Sequence, residues 1–198
     1  MTAAAPLAEL RAAAAIVHAV MPPTPQYRWP LLEAGFEARP GDGTELWVKH
    51  ENHTPVGAFK IRGGLVYFER LRQQGARPAG VVSATRGNHG QSVGFAARRQ
   101  GLPALVVVPH GNSREKNAAM RALGIELVEH GDDFQAAREQ AQALAAERGW
   151  AMVPSFHPDL VAGVASYALE LFDAAGALDA VYVPIGLGSG ACGVIAAR

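Results

Sequence analysis

Lysine and cysteine are the scarce residues of this chain. Its 198 residues include three lysines (Lys49, Lys60 and Lys116) and one cysteine, Cys192. A single cysteine excludes an internal disulfide and is compatible with a reducing compartment. Net charge is also missing: eighteen basic and eighteen acidic residues cancel. Nothing in that balance points to nucleic acid or to an anionic membrane surface as a partner. The apolar stretch 12–21 is far too short to span a bilayer and lacks the basic start of a signal peptide, so a cytoplasmic protein is expected. Metal-ligand clusters are missing too. The histidines of HENH, His50 and His53, do not have metalloprotease spacing, so no metal is expected. What remains is 49% hydrophobic and 18% charged, the composition of a folded globular protein with one large or two small domains.

Along the chain, Leu7 to Val20 reads as a helix stopped by Pro22-Pro23, and Pro22 to Pro30 as an extended connector. A short helix over Leu31 to Phe36 and a turn-rich loop over Arg39 to Thr44 precede a strand at Glu45 to His50. Leu65, Phe68 and Leu71 give Ile61 to Gln73 helical spacing. A regular alternation follows. Strands are expected at Gly80 to Ala84, Ala104 to Pro109, Ile125 to Glu129, Met152-Val153 and Ala180 to Pro184. The helices between them are Asn88 to Gln100, Ser113 to Leu123, Phe134 to Arg148 and Val161 to Phe172, with Asp159 as a cap for the last. This is an α/β pattern: a parallel sheet covered by helices, with ligands at the strand C-terminal ends. The chain stops at Arg198 just inside a further helix, which suggests a fragment of a longer protein.

Three stretches could carry chemistry. In GAFKIRGG, Lys60 follows a turn and the apolar pair Ala58-Phe59. It is either an exposed cation at a helix start or an amine whose pKa burial lowers, as a covalent or general-base lysine requires. In SATRGNHGQ, Thr85 to His89 join a strand to a helix whose first N–H groups are free for an anion. The alternative is an ordinary turn capped by Asn88. In GLGSGACG, Gly186 to Gly193 form a run of small residues at another strand end, a phosphate cradle by mechanism. Gly188-x-Gly190-x-x-Gly193 also fits the dinucleotide fingerprint, but its late position counts against a nicotinamide cofactor. Ser189 lacks the flanks of a nucleophile elbow, and Cys192 reads as a small buried residue.

GAFKIRGG, GNHGQS and PIGLGSG, in that order, resemble the fold type II pyridoxal-phosphate enzymes, closest to the threonine/serine dehydratase and serine racemase branch; HPDLVAGVASYALELF is similar to a further family segment. The resemblance implies a large cofactor-binding α/β domain, residues 1–79 and 157–198, with a smaller inserted α/β domain, residues 80–156. It implies pyridoxal 5'-phosphate bound covalently to Lys60, with Phe59 beside the ring, Asn88 on the phenolic oxygen, and Gly186, Leu187, Gly188 and Ser189 on the phosphate. Thr85, Asn88 and His89 would receive an amino acid substrate, with Arg86 reaching a second anionic group or a carboxylate across the cleft. The implied reaction is α,β-elimination of a β-hydroxy amino acid to a 2-oxo acid and ammonia, in a homodimer or larger homo-oligomer. Alternatives are β-replacement, a bulkier β-hydroxy amino acid, or a truncated non-catalytic cofactor-binding protein. Two departures stand out. Ala58 replaces a family serine, and Arg86 stands where racemases carry a second serine, so elimination without efficient racemisation is expected. The partner of the pyridine nitrogen, and the metal ligands of metal-dependent members, would lie beyond residue 198.

Overall fold

Alternating apolar residues in two short strands set the centre of the main sheet. In β3 (Val81–Ala84) and β4 (Ala104–Val108), Val81, Ala104, Val106 and Val108 face one way, while Val82, Ala84, Leu105 and Val107 face the other. Both faces are buried, as a parallel sheet requires. The first face packs on α4 (Asn88–Arg99) through Val93, Ala96 and Ala97, and on α5 (Arg114–Ala122) through Met120. The second packs on α6 (Phe134–Arg148) through Ala137, Ala141 and Ala145. With β5 (Glu126–Glu129) and β6 (Ala151–Met152) the sheet runs β5-β4-β3-β6, and every pairing is parallel. The structure, a computed structural model, describes residues 5–36 and 43–198.

A helical layer adjoins this sheet. In α1 (Leu7–His18), Leu10, Ala13, Ala14 and Val17 make one apolar stripe at spacings of three and four. The stripe packs on α3 (Lys60–Gln73) and α7 (Pro158–Ala175), and α7 is buried on almost every side from Leu160 to Leu171. Glycines permit a close crossing of α3 and α7. A Cβ on Gly163 would sit 2.3 Å from the Arg62 carbonyl oxygen, and one on Gly63 would sit 2.7 Å from that of Leu160. Because backbone lies opposite, no side-chain rotation can relieve the clash. Gly163→Ala is therefore expected to lower stability by about 1–3 kcal/mol, read as a shifted urea midpoint with an unchanged slope.

Several expectations need revision. The proline-rich connector contains β1 (Gln26–Arg28), which pairs antiparallel with β2 (Trp47–Lys49), and α2 (Pro30–Phe36) lies between them. The loop expected at 39–44 falls outside the described residues as far as residue 42. Helix α7 begins at Pro158, and its cap is His157, whose Nδ1 accepts from the Asp159 N–H at 3.1 Å. Asp159 instead pairs with Arg70. Ala180 to Pro184 is not a strand. Val181 and Val183 pack on α7, whereas Tyr182 is 95% exposed. The strand-like alternation survives, but no described strand lies beside it to complete a ladder. Cys192, in α8 (Ser189–Ala197), is exposed rather than buried.

Candidate active site

Lys60 is the first residue of α3, which places its amine at the junction of three elements. Its Nζ donates to Ser189 Oγ at 3.0 Å, at the start of α8. It also lies 5.3 Å from the centre of the Phe59 ring. Its carbonyl accepts from Ser92 Oγ of α4 at 2.7 Å, so the turn carrying the amine is tied to the neighbouring helix. Burial lowers the Lys60 pKa from its ordinary 10.5, and no carboxylate among the described residues opposes that effect. A lysine in this state yields a free amine more readily than a solvated one.

Helix α8 supplies donors next to that amine. Gly188 takes φ +97°, a conformation side-chain-bearing residues avoid, and this turns the chain into the helix. The first ladder bond runs from the Cys192 N–H to the Gly188 carbonyl, leaving the N–H groups of Ser189, Gly190 and Ala191 ahead of the ladder. The Tyr167 hydroxyl donates to the Gly190 carbonyl at 3.3 Å and packs on Phe59, with ring centres 5.8 Å apart. Burial pushes the Tyr167 pKa up to about 12, so it remains a donor.

Opposite lies the loop leaving β3. Thr85 Oγ1 accepts from the Gly87 N–H at 3.1 Å. Helix α4 then starts, with its first ladder bond from Gln91 to Gly87, so the N–H groups of Asn88, His89 and Gly90 precede the ladder. Asn88 is exposed at the mouth. His89 is buried, its Nε2 has no partner among the described residues, and burial followed by the nearby Lys60 charge lowers its pKa to about 4. It is neutral at ordinary pH. A cleft of about 380 Å³ joins the two sides, lined by Lys60, Thr85, Arg86, Gly87, Asn88, His89, Lys116, Phe134, Ser155, Gly186 and Leu187, with Ala84 at its base. A larger groove of about 680 Å³ lies elsewhere, between α1, α3 and α4, and Lys60 is not among its walls.

Of the expected site residues, Lys60, Thr85, Arg86, Asn88, His89, Gly186 and Leu187 line this cleft, Phe59 and Ser189 contact the amine, and Gly188 directly precedes Ser189. Lys116, absent from the sequence-based set, also lines it. A Cβ on Gly87 would meet Lys116 Cδ at 2.3 Å, so the lysine stem lies across the loop.

A buried ion network behind Lys60 was missed as well. Arg62 has no exposed surface and donates to Glu51 (2.7 and 2.9 Å), Glu170 (2.6 and 3.0 Å), Ser166 (2.9 Å) and Thr24 (3.2 Å). Lys49 and His18 meet the same Glu170 carboxylate at 2.6 and 2.8 Å. Burial would push Glu170 up, but Arg62, His18 and Lys49 outweigh it and hold the carboxyl at about 2. For Lys49 the balance reverses: burial, aided by repulsion from Arg62, lowers its pKa despite the Glu170 contact. Because Glu170 has an ordinary pKa of 4.5 and a folded value of about 2, its contribution is complete above about pH 5 and is lost as pH falls toward 2. That difference corresponds to roughly 3 kcal/mol. Acid titration of stability should therefore show a limb that flattens in Glu170→Gln.

The donor set fits pyridoxal phosphate. A buried amine, a helix start carrying free N–H groups, and an unpartnered histidine nitrogen across the cleft offer a covalent anchor, an anion cradle and a polar contact. Comparisons with known proteins agree. The chain is 39% identical over 150 residues to the L-threonine dehydratase biosynthetic IlvA of Escherichia coli, covering 75% of this chain and 29% of that protein. It is 39% identical over 150 residues to an L-threo-3-hydroxyaspartate ammonia-lyase of Pseudomonas sp, covering 75% of this chain and 46% of that protein. A solved threonine deaminase from T.th. superposes with a TM-score of 0.83 at 32% identity, covering 98% of this chain and 60% of that one. The chain thus spans less than two thirds of the length of these relatives. The family model for pyridoxal-phosphate dependent enzymes matches residues 21–198, and the chain belongs to that family.

Proposed function

We propose that the protein carries out α,β-elimination on a β-hydroxy amino acid, releasing a 2-oxo acid and ammonia. The observation that supports this best is the Lys60 amine: buried, free of a carboxylate partner among the described residues, and set against the N-terminus of α8. When bound, pyridoxal phosphate supplies an electron sink for the substrate α-carbon. Lys60 would anchor it, and the Lys60 amine would take the α-proton; burial keeps the amine available for that transfer. The N–H groups of Gly186, Leu187, Gly188 and Ser189 would hold the phosphate, Phe59 would back the ring, and Asn88 would hold the phenolic oxygen. Thr85, Asn88 and the free N–H groups of α4 receive the substrate carboxylate. His89, neutral at working pH, orients the substrate without adding charge.

Residues 80–156 act in this reading as a smaller domain that carries the Thr85–His89 loop toward Lys60. The protein works as a homodimer or larger homo-oligomer in the cytoplasm; among the described residues no helix is long and apolar enough to cross a membrane. Oligomeric state is read by size-exclusion chromatography with light scattering.

With added pyridoxal phosphate, the protein should release 2-oxo acid from L-serine, L-threonine or threo-3-hydroxyaspartate. No release from any of these would contradict the reading. Interconversion of D- and L-serine should stay negligible, because a guanidinium at Arg86, unlike a serine hydroxyl, cannot return a proton to the opposite face. Chiral chromatography after incubation decides this.

A further inference from the structure

The cleft contains more positive charge than a simple β-hydroxy amino acid can use. Among its lining residues Arg86 and Lys116 are cations, and no aspartate or glutamate is present. Neither head group has a hydrogen-bond or ion-pair partner among the described residues. Among the described residues Arg11, Arg28, Arg62, Arg70, Arg72, Arg121 and Arg148 hold carboxylates, whereas the exposed Arg98, Arg99, Arg114 and Arg138 do not; Arg86 and Lys116, also exposed, differ from these in lining the cleft. The two cleft cations come from adjoining positions, because the Lys116 stem lies against Gly87, the residue after Arg86. His89 contributes no charge, yet its buried Nε2 lacks a partner in the same cleft. The substrate α-carboxylate has the free N–H groups of α4 to bind. Two unpaired cations and one orphaned polar atom then remain.

Resting on the elimination reading above, we propose that Arg86 and Lys116 are specificity residues for an amino acid carrying a second anionic group, a carboxylate, on its side chain. A planar guanidinium can grip a carboxylate through two parallel hydrogen bonds, and Lys116 adds a point charge beside it. A hydroxyl or methyl side chain offers neither cation a partner, so the binding energy of both is withheld from serine-like substrates.

Succinate and butyrate, of equal carbon number and differing by one carboxylate, are suitable probes. Each is titrated calorimetrically into the pyridoxal-phosphate-loaded protein, with loading checked first by borohydride fixation on Lys60. Succinate should bind at least about tenfold more tightly, as expected for one charge-assisted contact. Arg86→Gln should bring the succinate-to-butyrate ratio toward one, Lys116→Met should lower it in part, and Arg86→Lys should retain part of it. Raising salt should weaken succinate more than butyrate. Equal binding of the two probes would overturn the proposal. So would a ratio that survives both neutral substitutions, or a loss of cofactor affinity in Arg86→Gln, which would assign that cation to the phosphate. Failure of Lys60 fixation would appear before any probe is added and would remove the elimination reading itself.

Discussion

Arg62→Met is expected to cost about 3–5 kcal/mol of folding stability, because it strands buried carboxylates without their counter-charge. Arg62 is fully buried, and the Glu51 and Glu170 side chains it joins are only 14% and 7% exposed. The loss is a large fraction of the roughly 5–15 kcal/mol that holds an ordinary domain together, so the variant should unfold at much lower urea or accumulate as insoluble protein. A merely void-filling role for Arg62 predicts that Met, of similar length, is tolerated. Neutralising the abandoned partners separates the two accounts: Arg62→Met combined with Glu51→Gln and Glu170→Gln should recover part of the loss, since the penalty comes from unpaired charge. The network also bears on the site. Arg62 lies two residues beyond Lys60 on α3, and its bonds fix that first turn to α7.

Lys60→Ala is expected to eliminate 2-oxo acid release, with general-base loss alone worth about 10²–10⁴-fold in rate. The substitution removes the Ser189 contact but leaves the Ser92 bond to the residue-60 carbonyl, which is a main-chain group. The fold should therefore survive, and circular dichroism of the variant should match the parent. Lys60→Arg keeps a cation near Ser189 but cannot supply a neutral amine, so it should be as inactive as alanine. Activity retained in either variant would place the chemistry on another residue.

Local features were the legible ones. Helix α6 has the bounds its sequence implies, because Asp133 caps it through the Ala136 N–H and Gly149 ends it in a left-handed turn. Strand β4 is a run of buried apolar residues with no competing helical period. Lys60, the Thr85–His89 loop and Ser189 were recoverable from motifs in order; the parallel sheet delivers the Thr85–His89 loop, while Lys60 and Ser189 meet through the starts of α3 and α8. Long-range polar pairing was not legible. Arg62 and Glu170 are 108 residues apart and lie on different helices, so no local pattern links them. Lys116 approaches Gly87 only through the β3–β4 pairing that brings their loops together. Ala180 to Pro184 misled for a related reason: its alternation describes which side is buried, whereas a strand also needs a neighbour to accept its backbone bonds.

Borohydride reduction of the protein mixed with pyridoxal phosphate, followed by mass-spectrometric mapping, tests the central claim most directly. The three lysines make the readout unambiguous. The account predicts that the reduced cofactor is fixed on the peptide containing Lys60, with no comparable label on Lys49 or Lys116 and none on that peptide in Lys60→Ala. Label spread evenly over the three lysines, or absent from Lys60, would contradict it.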